Sequence, residues 1–320
     1  MTDDRPVRIA TRASELALRQ ARIVEAALAR QEVPAELKTF RTTGDKRLDE
    51  PLNAIGGKGL FTKELEAALL KGTVECCVHS LKDLPTESPE GLIIAAVLVR
   101  EDPRDVLVLN DVIEAEGLHD IPRGSRIGTS SLRRRAQVLA MRPDLDVVEL
   151  RGNVPTRLRK VDEGQVHAAI LAAAGLHRLD ARQRIAAYLE PPAWLPAAGQ
   201  GAIAVQIRED DDRMRRLMAL LNDEPTMIAT SAERAFLAAL EGGCQVPIGA
   251  LAIESAEGMV LYGLIADVTG RHVIRGQRAF NDDEPALVGV RLANDLRSRG
   301  GTEVLGMLRG MERVPSPQPE

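Results

Sequence analysis

Aromatic side chains are nearly missing from this chain: Phe, Tyr and Trp make up 2% of its 320 residues. That scarcity excludes base-stacking platforms and carbohydrate recognition through aromatic faces, and it leaves aliphatic residues to build the cores. Long apolar runs are missing too. No stretch approaches the roughly 20 apolar residues that a membrane span needs, and Met1 to Arg8 is charged without an apolar centre, so a cytoplasmic location and no membrane partner are expected. Positive charge is not in excess. Forty-two Lys and Arg stand against 47 Asp and Glu, a net charge of -5, so no nucleic-acid partner is expected and any anion site must be local. Cysteine is scarce and odd in number, three in all with Cys76 adjacent to Cys77, which argues against a disulfide framework. The five histidines are scattered and no carboxylate cluster suggests magnesium, so no metal is expected.

What is present is globular material, 44% hydrophobic and 28% charged, in a chain long enough for two or three cores. Val7 to Arg12 reads as a strand, and Ser14 can cap a helix from about Glu15 to Arg30. Strands at Ala35 to Arg41, Val74 to Val78 and Leu92 to Val99, with a helix at Thr62 to Leu70, continue an alternation that implies a mainly parallel sheet covered on both faces. The pattern restarts near Asp105. Strands at Val106 to Leu109, Arg126 to Gly128, Asp146 to Leu150 and Ala168 to Leu171 alternate with helices at Ser131 to Met141 and Val154 to Glu163. Pro191 to Gly201 reads as a crossing segment, after which Ala202 to Ile207 returns as a strand to the first domain. Helices over Asp211 to Leu221 and Ile228 to Leu240 lead into a terminal segment with strands over Met259 to Asp267 and His272 to Arg278 and a helix over Pro285 to Arg299, which reads as a smaller α+β domain. Two α/β halves with the chain crossing between them predict a hinged cleft, the architecture of periplasmic-type binding proteins.

Several segments carry chemistry. The loop from Thr42 to Phe61 holds Gly44, Gly56, Gly57 and Gly59 with Lys58 among them, and reads as a mobile lid, a surface hairpin or a phosphate cradle, although its spacing matches neither standard phosphate fingerprint. Phe61 can anchor the helix that follows. Lys82 and Asp83 lie just beyond a predicted strand, where open α/β sheets bind ligands, although such a pair is also common in a solvated turn; His79 just before them reads as structural. Gly128-Thr-Ser-Ser-Leu-Arg-Arg-Arg135 ends a strand in hydroxyls and begins a helix with clustered cations. Free amides and hydroxyls at a helix start bind anions, and cations there oppose the macrodipole unless an anion compensates. Arg151-Gly-Asn-Val-Pro-Thr-Arg157 repeats the design, with Asn153 as cap and Pro155 in the first turn. Arg12, Arg133, Arg134, Arg151, Arg157 and Arg178 therefore suit a ligand with several carboxylates, which arginine binds bidentately. Cys76 and Cys77 read as core residues. Cys244, in Gly242-Gly-Cys-Gln-Val-Pro247, reads as a nucleophile or an attachment point.

Taken in order, Arg8-Ile-Ala-Thr-Arg-Ala-Ser14, Gly56-Gly-Lys-Gly-Leu-Phe61, His79-Ser-Leu-Lys-Asp83, Gly128-Thr-Ser-Ser-Leu-Arg-Arg134, Arg151-Gly-Asn153 and Gly242-Gly-Cys-Gln-Val-Pro247 closely resemble the porphobilinogen deaminase (hydroxymethylbilane synthase) family, from about residue 6 to 310. The chain departs from the family pattern at Ala54, where a lysine is common, and at Arg135, an extra cation. The resemblance implies three domains: residues 1–101 with 202–219, including a lid loop over 42–60; residues 106–196, rich in arginine; and residues 224–313, carrying the cysteine loop. It implies a monomeric transferase of tetrapyrrole biosynthesis whose dipyrromethane cofactor hangs from Cys244 by a thioether. Each porphobilinogen would lose ammonia to give an azafulvene, attacked by the free α-carbon of the terminal pyrrole. Four rounds and a hydrolysis would release hydroxymethylbilane. Asp83 would be the catalytic group. Lys82, Asp83, Thr129, Ser131, Arg133, Arg134, Arg151 and Gln200 would hold the cofactor, and Arg12, Ser14, Lys58, Phe61, Arg151, Arg157 and Arg178 the substrate. Two other readings use some of the same residues: a solute-binding module for a small dicarboxylate, in which Cys244 has no role, and a phosphate-handling transferase, for which no metal constellation is visible.

Overall fold

A computed structural model describes residues 5–42, 62–241, 246–256 and 258–310. The described chain divides into two compact units, one from residues up to 101 together with 199–228, the other from 102–198 together with residues from 229 onward. Lys58, Phe61, Ala54 and most of the expected lid loop, and also Cys244, lie outside the described residues.

The first unit begins with β1 (Val7–Arg12) and α1 (Glu15–Ala29), followed by β2 (Ala35–Phe40), α2 (Lys63–Leu70), β3 (Cys76–Ser80), a single 3-10 turn over Leu81–Asp83, and β4 (Leu92–Val97). The second unit opens with β5 (Asp105–Leu109) and β6 (Arg126–Gly128), then α3 (Leu132–Met141), β7 (Asp146–Val148), α4 (Val154–Asp162), β8 (Ala168–Ala172), α5 (Ala173–Arg178) and β9 (Ala187–Leu189). The chain then returns to the first unit for β10 (Ile203–Arg208) and α6 (Asp212–Ala219), and passes to the second within α7 (Glu224–Ala239). β11 (Ile248–Ser255), β12 (Gly258–Ala266), β13 (Val273–Ala279), α8 (Pro285–Leu296) and α9 (Thr302–Gly310) complete it.

The two larger sheets have five strands each, in the orders β2-β1-β3-β10-β4 and β7-β6-β8-β5-β9. The orders correspond strand for strand: in both, three parallel strands are followed by one antiparallel strand, β10 or β5, which enters directly after a crossing. This is the arrangement expected of periplasmic-binding-protein-like domains. β11, β12 and β13 form a smaller antiparallel sheet packed with α7, α8 and α9.

Packing follows from the pattern of apolar residues. On α1, Ala21, Val24 and Leu28 recur at helical spacing and are fully buried. Full burial of a Val or Leu contributes about 1.5–3 kcal/mol each. β10 reads Ile-Ala-Val-Gln-Ile and is buried on both faces between β3 and β4, as a central strand must be. Cys76 and Cys77 lie fully inside the first unit, with the Cys77 thiol donating to the Leu65 carbonyl at 3.4 Å; burial pushes both thiols well above their ordinary range and makes them inert.

Several elements differ from the sequence expectation: α5, β11 and α9 were not foreseen, and three other differences have a visible cause. α7 begins four residues earlier than expected, because the Asp223 carboxylate caps it by accepting the Thr226 N–H at 3.0 Å. α8 ends at Leu296, and Gly300, at φ 107°, turns the chain before α9. β9 is only three residues long and sits at a sheet edge, too short to leave a period.

Candidate active site

In the first sheet, β1, β3 and β4 run parallel and β10 runs against them, so the carboxyl ends of the three and the amino end of β10 lie at one end of the sheet. Arg12 ends β1 there and Ser14 follows it; Ser14 Oγ accepts the Ala17 N–H at 3.4 Å and starts α1. The turn bearing Lys82 and Asp83 follows β3, Arg100 follows β4, and Gln200 precedes β10. These groups are knit together. Lys82 Nζ donates to Gln200 Oε1 at 3.2 Å, and Arg100 Nε donates to the Gln200 carbonyl at 2.9 Å. Gly199, at φ 72°, lies against Leu81 so closely that an added Cβ would stand 2.9 Å from its Cγ. Only glycine lets the Gln200 segment close on the 3-10 turn. Gln20 Nε2 donates to Ser80 Oγ at 2.7 Å, a polar contact beside this turn that the sequence did not single out.

Asp83 is half-buried and forms no hydrogen bond or ion pair with any described residue. Its carboxylate is available to a ligand. His79, four residues earlier, is buried in β3 with no hydrogen-bond partner for Nε2 among the described residues. Burial, opposed by Gln206 and reinforced by the charge of Arg12, pushes its pKa down to about 4. His79 is thus neutral near pH 7, which fits the structural role read for it.

The second sheet gathers the carboxyl ends of β6, β7 and β8 at one end, with the amino end of antiparallel β5 beside them. Thr129 and Ser131 follow β6. Thr129 Oγ1 accepts the Ser131 N–H at 3.2 Å, and Ser131 Oγ accepts the Arg134 N–H at 3.4 Å to cap α3. Arg151 follows β7, near Glu149 at 3.4 Å, and Asn153 Oδ1 caps α4 by accepting the Thr156 N–H at 2.9 Å. Arg157 is in the first turn of α4, half-buried, and Arg178 is in the last turn of α5 after β8. Gly128 has no room for a side chain: an added Cβ would lie 2.7 Å from Leu150 Cδ2.

Arg133 and Arg134, read in the sequence as cations for a carboxylate ligand, also have a partner within the chain. Both are 5% exposed and face Asp105, the first residue of β5. Arg133 Nη1 donates to Asp105 Oδ2 at 2.7 Å, and Arg134 donates through Nε at 3.1 Å and Nη2 at 2.7 Å to Oδ1. Trp194 Nε1 adds a bond to Oδ2 at 2.8 Å, and Arg134 Nη1 donates to the Ile170 carbonyl at 2.8 Å. The sequence reading looked to a ligand for the anion that offsets these cations, and the chain itself supplies one. Burial opposes ionisation of Asp105, yet the charges and hydrogen bonds of Arg133 and Arg134 hold the carboxyl far below the usual range. Two guanidinium groups share this one carboxylate at the start of α3. Arg135, the extra cation, donates to the Val147 carbonyl at 2.6 Å. Asp105 and Trp194 were not singled out in the sequence because the partners lie 28 and 89 residues apart.

The donor set therefore suits carboxylates: hydroxyls and free amides at two helix starts, with half-buried Arg151 and Arg157 beside them. No group of His, Cys, Asp and Glu among the described residues could hold a metal ion, and no helix among them is long and apolar enough to cross a membrane.

These features define an α/β protein whose second unit gathers carboxylate-suited donors at its strand ends and whose first unit holds an available acid at its own. The family model for the porphobilinogen deaminase dipyrromethane cofactor binding domain matches residues 7–216, and that for the porphobilinogen deaminase C-terminal domain matches 227–298. The chain is 48% identical over 304 residues to the porphobilinogen deaminase of Syntrophobacter fumaroxidans, covering 94% of this chain and 97% of that one. It is 49% identical over 301 residues to that of Moorella thermoacetica, covering 93% and 95%. The chain belongs to the porphobilinogen deaminase family, whose members are transferases with a dipyrromethane cofactor.

Proposed function

We infer that this chain is a transferase of tetrapyrrole biosynthesis that condenses four porphobilinogen molecules, with loss of ammonia, on a dipyrromethane joined to Cys244, and then releases hydroxymethylbilane by hydrolysis. The observation that carries this reading is Asp83, an acid at the carboxyl end of β3 that no described residue neutralises, set beside a lysine already held by Gln200. Asp83 accepts hydrogen bonds from pyrrole N–H groups and stabilises the positive charge that develops as ammonia leaves; a fixed acid is worth most where water is excluded.

Each pyrrole carries an acetate and a propionate. Thr129, Ser131 and the amides that open α3, backed by Arg133, Arg134 and Arg151, receive those of the cofactor, with Lys82, Asp83 and Gln200 as its further contacts. Arg12, Ser14, Lys58, Phe61, Arg157 and Arg178, again with Arg151, serve the incoming substrate. When bound, the dipyrromethane supplies a nucleophilic pyrrole carbon. The Cys244 sulfur holds it by a thioether, a role that needs an accessible thiol and no redox partner. We place the protein in the cytoplasm as a monomer; its two free, buried thiols, Cys76 and Cys77, fit a reducing compartment.

Intact-mass measurement tests the assignment. The purified protein is expected to carry the added mass of a dipyrromethane, and Cys244→Ser to lack both the mass and turnover. An unmodified wild-type protein with full activity would sink the reading.

A further inference from the structure

Asn153 starts α4, and the residues just before it fold back along the helix. Gly152, at φ 115°, bends the chain so that an added Cβ would stand 2.7 Å from Thr156 Cγ2 and 2.9 Å from Thr156 Cβ. Only glycine fits there. Thr156 and Lys160 lie one turn apart on the same face of α4, and side chains on a helix lean toward its amino end. Gly152 rests on the first of the two, and the Arg151 carbonyl reaches the second, accepting from Lys160 Nζ at 3.3 Å. Lys160 is half-buried and forms no ion pair with any described residue. The same segment is held from its other side. The Val148 carbonyl accepts the Thr129 N–H at 2.9 Å, and the Leu150 carbonyl accepts the Ser130 hydroxyl at 3.3 Å, both from the turn that precedes α3. Leu150 is buried between them, and the Arg151 guanidinium lies near Glu149, at 3.4 Å from Nε.

A carbonyl fixed in direction fixes its peptide plane, and with it the Cα–Cβ bond from which the Arg151 side chain leaves. A charged donor makes the stronger kind of hydrogen bond. Direction matters for arginine in particular, because its planar fork meets a carboxylate bidentately only when the two are aligned. We propose that Lys160 is a positioning residue for Arg151: acting through the Arg151 backbone, it aims the guanidinium at the carboxylates of the incoming pyrrole. The proposal rests on the reading of Arg151 as a carboxylate-binding residue. A misaimed fork weakens substrate binding and leaves the chemistry at Asp83, in the other unit, unaltered.

Steady-state kinetics on the loaded enzyme, with loading checked by intact mass, test it. Lys160→Met keeps the length and the helix-forming tendency of the side chain and removes its donor. It is expected to raise KM for porphobilinogen roughly tenfold while kcat stays within about twofold of wild type. Lys160→Arg keeps a charged donor and is expected to hold KM within about threefold. Arg159→Met is the control: Arg159 is exposed on the same helix and pairs with Glu163 at 3.8 Å, so its loss removes the same charge without touching the Arg151 carbonyl. Its KM is expected to equal that of wild type. Arg151→Lys gives up the bidentate fork and is expected to raise KM by itself; adding Lys160→Met to it is expected to raise KM less than about twofold further, because the group being aimed is already lost. A wild-type KM in Lys160→Met overturns the positioning role. So does an equal rise in Lys160→Arg or Arg159→Met, or a full tenfold rise when Lys160→Met is added to Arg151→Lys. A wild-type KM in Arg151→Lys overturns instead the reading of Arg151 on which the proposal rests.

Discussion

At the amino end of the antiparallel strand in the first sheet stands Gln200, whose side-chain oxygen accepts from Lys82; at the equivalent end in the second stands Asp105, which takes Arg133, Arg134 and the Trp194 indole. One strand order thus brings two different groups to the same topological corner. A neutral amide ties up the lysine in the first sheet and leaves the neighbouring Asp83 uncommitted among the described residues. A carboxylate in the second is held by Arg133, Arg134 and Trp194 and locked inside. The two aspartates differ in exposure and partners, which decide whether an acid is committed to holding the structure.

Exchanging charge for shape at each aspartate breaks the comparison in different places. Asp105→Asn removes the charge that two buried guanidiniums require, so the second unit is expected to lose about 3–5 kcal/mol of stability; urea unfolding checks this. A loss below about 1 kcal/mol would mean that the guanidiniums find other anions. Asp83→Asn is expected to leave the unfolding curve nearly unchanged while turnover falls roughly 100- to 1,000-fold. Steady-state kinetics on the loaded enzyme decide it, and near-normal turnover removes Asp83 from the chemistry. The smallest effect concerns His79. Its folded value of about 4 lies below the ordinary value of about 6.5, so between those pH values the unfolded chain binds a proton that the folded one does not. Its contribution is complete above about pH 6.5 and is lost as pH falls toward 4, by up to about 3 kcal/mol. His79→Gln is expected to flatten that part of the stability profile; an unaltered slope would show that His79 titrates as it does in the unfolded chain.

Much of this was legible in the chain. Ser14, Ser131 and Asn153 announce helix starts because capping is local chemistry, satisfied within three residues. The positions of Lys82, Asp83, Arg151 and Arg157 just past strands followed from the alternation of strand and helix. Less visible was what Arg133 and Arg134 do. Their spacing at a helix start signals an anion without saying whether the anion is a ligand or a residue of the same chain, and Asp105 lies 28 positions from Arg133. Gln137, fully buried on α3 with both ends of its amide bonded to Leu195, was equally silent, because a glutamine on a helix carries no period.

The sequence by itself determined most of the succession of strands and helices, the caps and membership of the family, because each depends on neighbouring residues or on motif order. Only the tertiary structure decided which cations are internal and which acid is available. That outcome depends on strands β5 and β10, which enter their sheets antiparallel after long excursions of the chain, and on burial, which turns a shared charge into a fixed one.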